Sequence, residues 1–233
     1  MKNLVGINGH KDYLPHFRFG SPKQGGDEYP DGDFLWDLMW FFEHKNWEID
    51  CGIRKIIYHN LYRIIALVKI ILGEKRGFTS VGGGSWHGND TLWRTILDIN
   101  RAFFYYNPKK NVMSRSIQRK YFCIVDGLVG GEKESPLAPS PKKSNIFICG
   151  ENPVAIDSVV ACLMNFDYKK IKTVYNAYRI GRMPLTNFRY DDIKIKLYDE
   201  NKSKAIILKI NDLDRYAINF QPSKGFKGCI ENN

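Results

Sequence analysis

Hydrophobic and polar positions along this chain fall into runs of two kinds, one extended and one helical. Tyr121-Phe-Cys-Ile-Val125 is a β-branched and aromatic run that predicts a buried strand stopped by an Asp126-Gly127 turn. Asn145 to Gly150 holds a second such run, Ile-Phe-Ile-Cys. Asn152-Pro153 then predicts a helix start, because Asn accepts from the first free N–H groups and Pro at the first helical position has no N–H to satisfy. The apolar run that follows carries this helix to Phe166, with Asp157 in its second turn among Pro153, Val154, Val160 and Ala161. A carboxylate on that surface needs either a cleft or a hydrogen-bonding partner, since an unpaired buried charge is costly.

Helical spacing recurs elsewhere. Leu92, Ile96, Ile99 and Phe103 make an apolar stripe after a glycine-rich connection, with Asn89 or Asp90 available as caps. Arg94, Asp98 and Arg101 occupy another stripe, either as a surface ion-pair ladder or with Asp98 holding Arg94 toward a ligand. Residues 33–73 form an aromatic helical insertion whose second helix runs from about Ile53 to Leu72. Its apolar runs fall short of the ~20 residues a membrane span needs. That insertion is read as a helical pair packed on the rest, or as an interfacial helix or partner surface. Tyr168 to Gly181 predicts a further helix ending at glycine, and Ile193–Tyr198 with Ala205–Ile210 predicts a C-terminal hairpin turned at Asp199–Lys204.

Charge and cysteines narrow the setting. The 35 Lys and Arg against 25 Asp and Glu give +10, which favours anionic partners without choosing among phosphate metabolites, nucleic acid and anionic lipid. No nucleic-acid-binding module is legible, so no specific nucleic acid is expected as partner. The five cysteines are widely spaced and odd in number, which suits a reducing, cytoplasmic compartment. They contain no iron–sulfur motif. Cys123, Cys149 and Cys162 lie in predicted apolar elements and are expected to pack in the core. No secretory signal precedes the first apolar segment.

The candidate chemistry lies in three places. Asp126 and Glu132 flank Gly130-Gly131, a polar turn or a ligand-approaching loop, and with Asp157 they are candidate acid/base groups. The same three carboxylates could hold magnesium or calcium, which prefer oxygen ligands; no His or Cys set suggests a transition metal. Lys11, His16 and Arg18 gather cationic character within eight residues, followed by Asp27 and Glu28 after a Gly25-Gly26 turn.

Taken together, Asp126-Gly followed by Gly131-Glu132 and Pro136, a strand, Pro153-Val-Ala-x-Asp157 and Leu163-Met-x-Phe-Asp167 resemble the family named domain of unknown function 362. The resemblance extends to Lys2-Asn3-Leu4, Gly6, Lys11, Leu14-Pro15-His16, Trp86 and Gly88 to Arg94. The family's usual Gly-Glu-Gly-Asn-Gly-Pro loop is here Gly131-Glu132-Lys133-Glu134-Ser135-Pro136. The resemblance brings Asn89, Asp90 and Arg94 to the substrate-binding set with Lys11, His16 and Arg18. It also implies that this chain corresponds to the C-terminal part of a larger protein, with a missing N-terminal half or an iron–sulfur module as partner.

The expected fold is α/β: a mixed or parallel sheet with flanking helices, the helical insertion and a C-terminal β-hairpin, in one domain spanning 1–233. The expected function is an enzyme, or part of one, acting on a small anionic metabolite through an unknown cofactor or a divalent cation. The alternative is a membrane-surface or protein-interaction module built on the aromatic insertion.

Overall fold

The computed structural model describes residues 1–6, 9, 14–49, 51–72, 83–134, 138–198 and 205–232. Six α-helices and six strands are seen among them: α1 (Asn3–Gly6), α2 (Phe34–Glu48), α3 (Ile53–Ile71), α4 (Leu92–Tyr105), β1 (Tyr106–Asn107), β2 (Val112–Met113), β3 (Cys123–Glu134), β4 (Ala138–Gly150), α5 (Pro153–Leu163), α6 (Lys172–Ala177), β5 (Lys194–Leu197) and β6 (Ile206–Lys209). The mixture of helices and strands and the C-terminal strand pair are those expected. All three ladders are two-stranded and antiparallel. Parallel neighbours need a crossover of a dozen or more residues, and the chain between Glu134 and Ala138 is far shorter.

The α5 helix organises the packing. Asn152 caps it, its side chain accepting from the Val154 and Ala155 N–H groups at 2.9 and 3.0 Å. Apolar or small residues nearly all round the helix bury it on several sides. Its first turn contributes Val154 to a core built with Ile96, Leu97, Phe104 and Tyr105 of α4 and with Val174 and Ala177 of α6. Its later turns contribute Val159, Cys162 and Leu163 to a second core with Ile193, Leu208, Ile210 and Leu213, against which Ile146 and Ile148 of β4 pack.

The strand expected to end at Asp126-Gly127, β3, does not stop there. It continues to Glu134, and a register shift between Gly127 and Val129 absorbs the irregularity. Such a bulge puts one extra residue on one strand, so the faces exchange beyond it. Val125 and Gly127 are half-buried before it; Gly130, Glu132 and Glu134 are half-buried after it. Gly130 leaves room there for the tip of the Phe220 ring, which a Cβ would meet at 2.6 Å and displace. The outer face presents Ile124, Phe147 and Cys149 to solvent, which corrects the expectation that Cys149 packs in the core; Cys123 is half-buried and Cys162 buried.

The helix expected over Tyr168–Gly181 reduces to α6. Asp167 holds a turn instead, its side chain accepting the Lys169 N–H at 2.9 Å and its carbonyl the Lys170 N–H at 2.9 Å. Tyr168 then stacks on Tyr190 with ring centroids 3.8 Å apart. The insertion forms the helical pair α2 and α3, joined by Phe42 against Tyr58 and by Lys69, which lies 3.5 Å from Asp33 and over the Trp36 ring. Among the described residues no helix is long and apolar enough to cross a membrane.

Candidate functional site

The loop before α2 and the loop before α4 meet at Asp27, whose side chain is 2% exposed. The backbone of Gly26 makes this approach possible: a Cβ there would lie 2.1 Å from the carbonyl oxygens of Phe19 and Gly20. Asp27 Oδ1 accepts the Arg18 N–H at 2.5 Å. Its Oδ2 accepts the Asp90 N–H at 2.8 Å and the Thr91 hydroxyl at 2.7 Å, with the Arg18 guanidinium 3.6 Å away. The Asp27 carbonyl accepts from the Trp86 indole at 2.9 Å.

Asn89 starts α4 in the same place. Its side-chain oxygen accepts the Leu92 N–H at 2.9 Å, and its amide donates to the His16 carbonyl at 2.9 Å. Lys172, carried by α6, donates to the Asn89 carbonyl at 2.7 Å, and burial lowers its pKa against the opposing pull of Asp90 and Asp27. Burial also acts to raise the Asp90 carboxyl, but bonds from the Trp93 indole and the Arg94 guanidinium outweigh it and hold the group below the usual carboxylate range. Arg94 is therefore held by Asp90, at 2.8 Å, and lies over the Trp93 ring. Asp98 pairs with Arg101 instead, because three residues along a helix bring those two together.

The structure thus gathers five of the six expected binding residues, His16, Arg18, Asn89, Asp90 and Arg94, around Asp27; Lys11 lies outside the described residues. His16 takes part through its carbonyl, while its ring Nδ1 lies 2.8 Å from the Leu14 carbonyl. Asp27 follows a visible turn, yet its role and that of Lys172 depend on partners too distant in sequence to suggest them.

The three candidate acid/base carboxylates are not brought together. Asp126 is exposed on the outer face of β3 and accepts only the Leu128 N–H, at 3.1 Å, among the described residues. Glu132, beyond the bulge, faces the other way: it accepts the Gln221 N–H at 3.0 Å and lies 3.6 Å from Lys142. Asp157 receives the amino group of Met1 on both oxygens, at 3.1 and 2.9 Å. Burial raises its pKa, and the Met1 charge and hydrogen bonds offset part of that rise. No group of three His, Cys, Asp or Glu side chains able to hold a metal ion is found among the described residues.

A cavity of about 510 Å³ opens where β3 begins and α5 starts. Phe104, Ile117, Tyr121, Phe122 and Leu185 supply apolar wall, and Arg119, Lys120, Glu151 and Asn152 supply polar groups. The Arg119 guanidinium is tied to the Phe103 and Tyr106 carbonyls, which fixes it without neutralising it. The Tyr121 hydroxyl accepts from Asn3 at 3.1 Å, and its pKa is pushed up to about 12, by burial first, then by Cys123 and the Asp157 charge. The basic pair Arg119-Lys120 stood in the sequence just before the first predicted strand, but nothing local marked it as a cavity wall.

The model of a family described as a domain of unknown function (DUF362) matches residues 1–162. Neither a curated protein nor a solved structure matches the chain.

Proposed function

Since this chain belongs to the family described as domain of unknown function 362, a description that names no reaction, we propose from its site that it is an enzyme, or part of one, that binds a small anionic metabolite in the cavity beside Tyr121. The cavity itself carries this reading. Its volume of about 510 Å³ suits a small molecule, and its apolar wall with a few convergent polar groups is the usual make-up of such a site. Two cations, Arg119 and Lys120, line it against a single carboxylate, Glu151, a balance that favours a ligand with a negative group on an apolar body.

Asp157 is the acid/base candidate of this reading, with both of its oxygens paired to the Met1 amino group. It lies one helical turn from Pro153 in the cavity wall, on the same side of α5. Burial raises its affinity for a proton, the direction a general acid needs. The cluster around Asp27 fixes the loop that leads into α4, whose Phe104 lines the cavity.

Calorimetric titration with inorganic phosphate and with small aliphatic and aromatic carboxylates tests this reading. Lys120→Gln should weaken binding of the preferred anion about tenfold, as loss of one charge-assisted hydrogen bond does, while Arg94→Gln leaves it unchanged. The reverse pattern would move the site to the start of α4, and the absence of binding by any of these anions would overturn the proposal.

A further inference from the structure

Independently of the cavity, we infer that α3 is a docking face for an anionic lipid surface. Ile53, Ile56, Ile57, Ile64, Leu67 and Ile71 are each between 50% and 75% exposed and line one face of the helix, interrupted midway by the exposed Asn60. The opposite side of α3 is the one that packs: Ile65 is buried, Tyr58 meets Phe42, and Lys69 sits over Trp36. The stripe therefore points away from α2. With 19 residues the helix is about 28 Å long, so this is an extended apolar face rather than a scatter of single residues.

Charge identifies what covers it. The helix carries Arg54, Lys55, His59, Arg63 and Lys69 and not one acidic residue, in a chain of net charge +10. At 3.6 residues per turn Arg54 falls on one edge of the stripe and Arg63 on the other, and both are exposed. An apolar stripe edged with arginine places its side chains among acyl chains while the guanidinium groups reach phosphate and carboxylate headgroups. A second copy stacked face to face would instead set arginine edges against arginine edges, with no carboxylate on either helix to pair with them.

Co-sedimentation of the whole chain with vesicles tests this, comparing phosphatidylcholine alone with phosphatidylcholine mixed with phosphatidylserine. Binding to the mixed vesicles at low salt, and its loss at high salt, is expected. Arg54→Gln with Arg63→Gln should lower the partition coefficient about twenty-five-fold, about fivefold for each basic residue at an anionic surface. Ile56→Ser, Ile64→Ser and Leu67→Ser together should abolish binding while leaving the urea unfolding midpoint in place, since all three side chains lie in solvent. Failure to bind the mixed vesicles, or binding that none of these changes reduces, overturns the inference. So does a concentration-dependent dimer that the triple variant dissolves in a chain that ignores vesicles.

Discussion

The Asp27 carboxylate accepts the Thr91 hydroxyl at 2.7 Å across 64 positions of sequence, and the same oxygen accepts the Asp90 N–H at 2.8 Å. With the Arg18 N–H on the other oxygen, one buried side chain fixes the loop before α2 against the start of α4. Removing a buried, fully bonded carboxylate orphans its donors, which is among the more damaging single changes. Asp27→Ala is expected to lower stability by about 1–3 kcal/mol in urea unfolding, the cost of leaving buried donors unpaired. Asp27→Asn keeps an acceptor but sets an amide against donors, and should lose less. A change under about 1 kcal/mol for Asp27→Ala would mean that the junction contributes little.

Gly26 is the neighbour that lets this approach happen. A Cβ at position 26 would meet two backbone carbonyl oxygens at 2.1 Å, and backbone cannot rotate aside as a flexible side chain does. Gly26→Ala should therefore destabilise by at least the ~1–3 kcal/mol typical of overpacking. It should also alter the amide NMR shifts of Asp90 and Thr91, which report the Asp27 bonds. Gly25→Ala next to it has open space around its Cβ but a φ of +81°, so its effect should come from backbone strain and leave those shifts in place.

Asp157 makes stability depend on pH with a definite sign. Burial raises its folded pKa above the ordinary value of 3.8, so the folded chain holds this proton more tightly than the unfolded one. Its contribution is most favourable below that ordinary value and is lost as pH rises through the raised folded value. Urea unfolding across this window should show stability falling with pH in the native chain relative to Asp157→Asn. Parallel pH profiles for the two proteins would contradict the raised pKa.

The cysteines should divide by surroundings. The Cys162 thiol is pushed up to about 12 by burial and then by Asp214, whose carboxylate oxygen lies 3.2 Å from its sulfur. Thiolate is the reactive form, so Cys162 should resist a thiol reagent at neutral pH until the chain unfolds. Cys51 and Cys149 are exposed and should be modified first. Mass spectrometry after timed alkylation reads the order directly, and early modification of Cys162 would contradict its burial.

Much of the local structure was legible in the residues. The Asn152-Pro153 start, the stripe from Leu92 to Phe103 and the helical pair within 33–73 are all written in spacings of a few positions, because capping and amphipathic packing act between near neighbours. The antiparallel pairing of β3 with β4 was not read, although the short chain between them favours it. The reach of β3 past Asp126-Gly127 was missed because a turn-forming pair can also sit in a bulged strand. That bulge is what sends Asp126 and Glu132 to opposite faces, so two carboxylates six positions apart in sequence do not share a site.

What the sequence determined by itself was the helical pair within 33–73, the α4 stripe, the capping of α5, the C-terminal strand pair, the basic and apolar character of α3 and the family. What only the tertiary structure decided was which distant groups meet: Asp27 with Thr91, Lys172 with Asn89, and Arg119, Lys120 and Asn152 around one cavity. The physical reason is range. Periodicity and capping depend on the next turn of chain, whereas the environment of a buried carboxylate or a cavity wall depends on residues that only packing brings within reach.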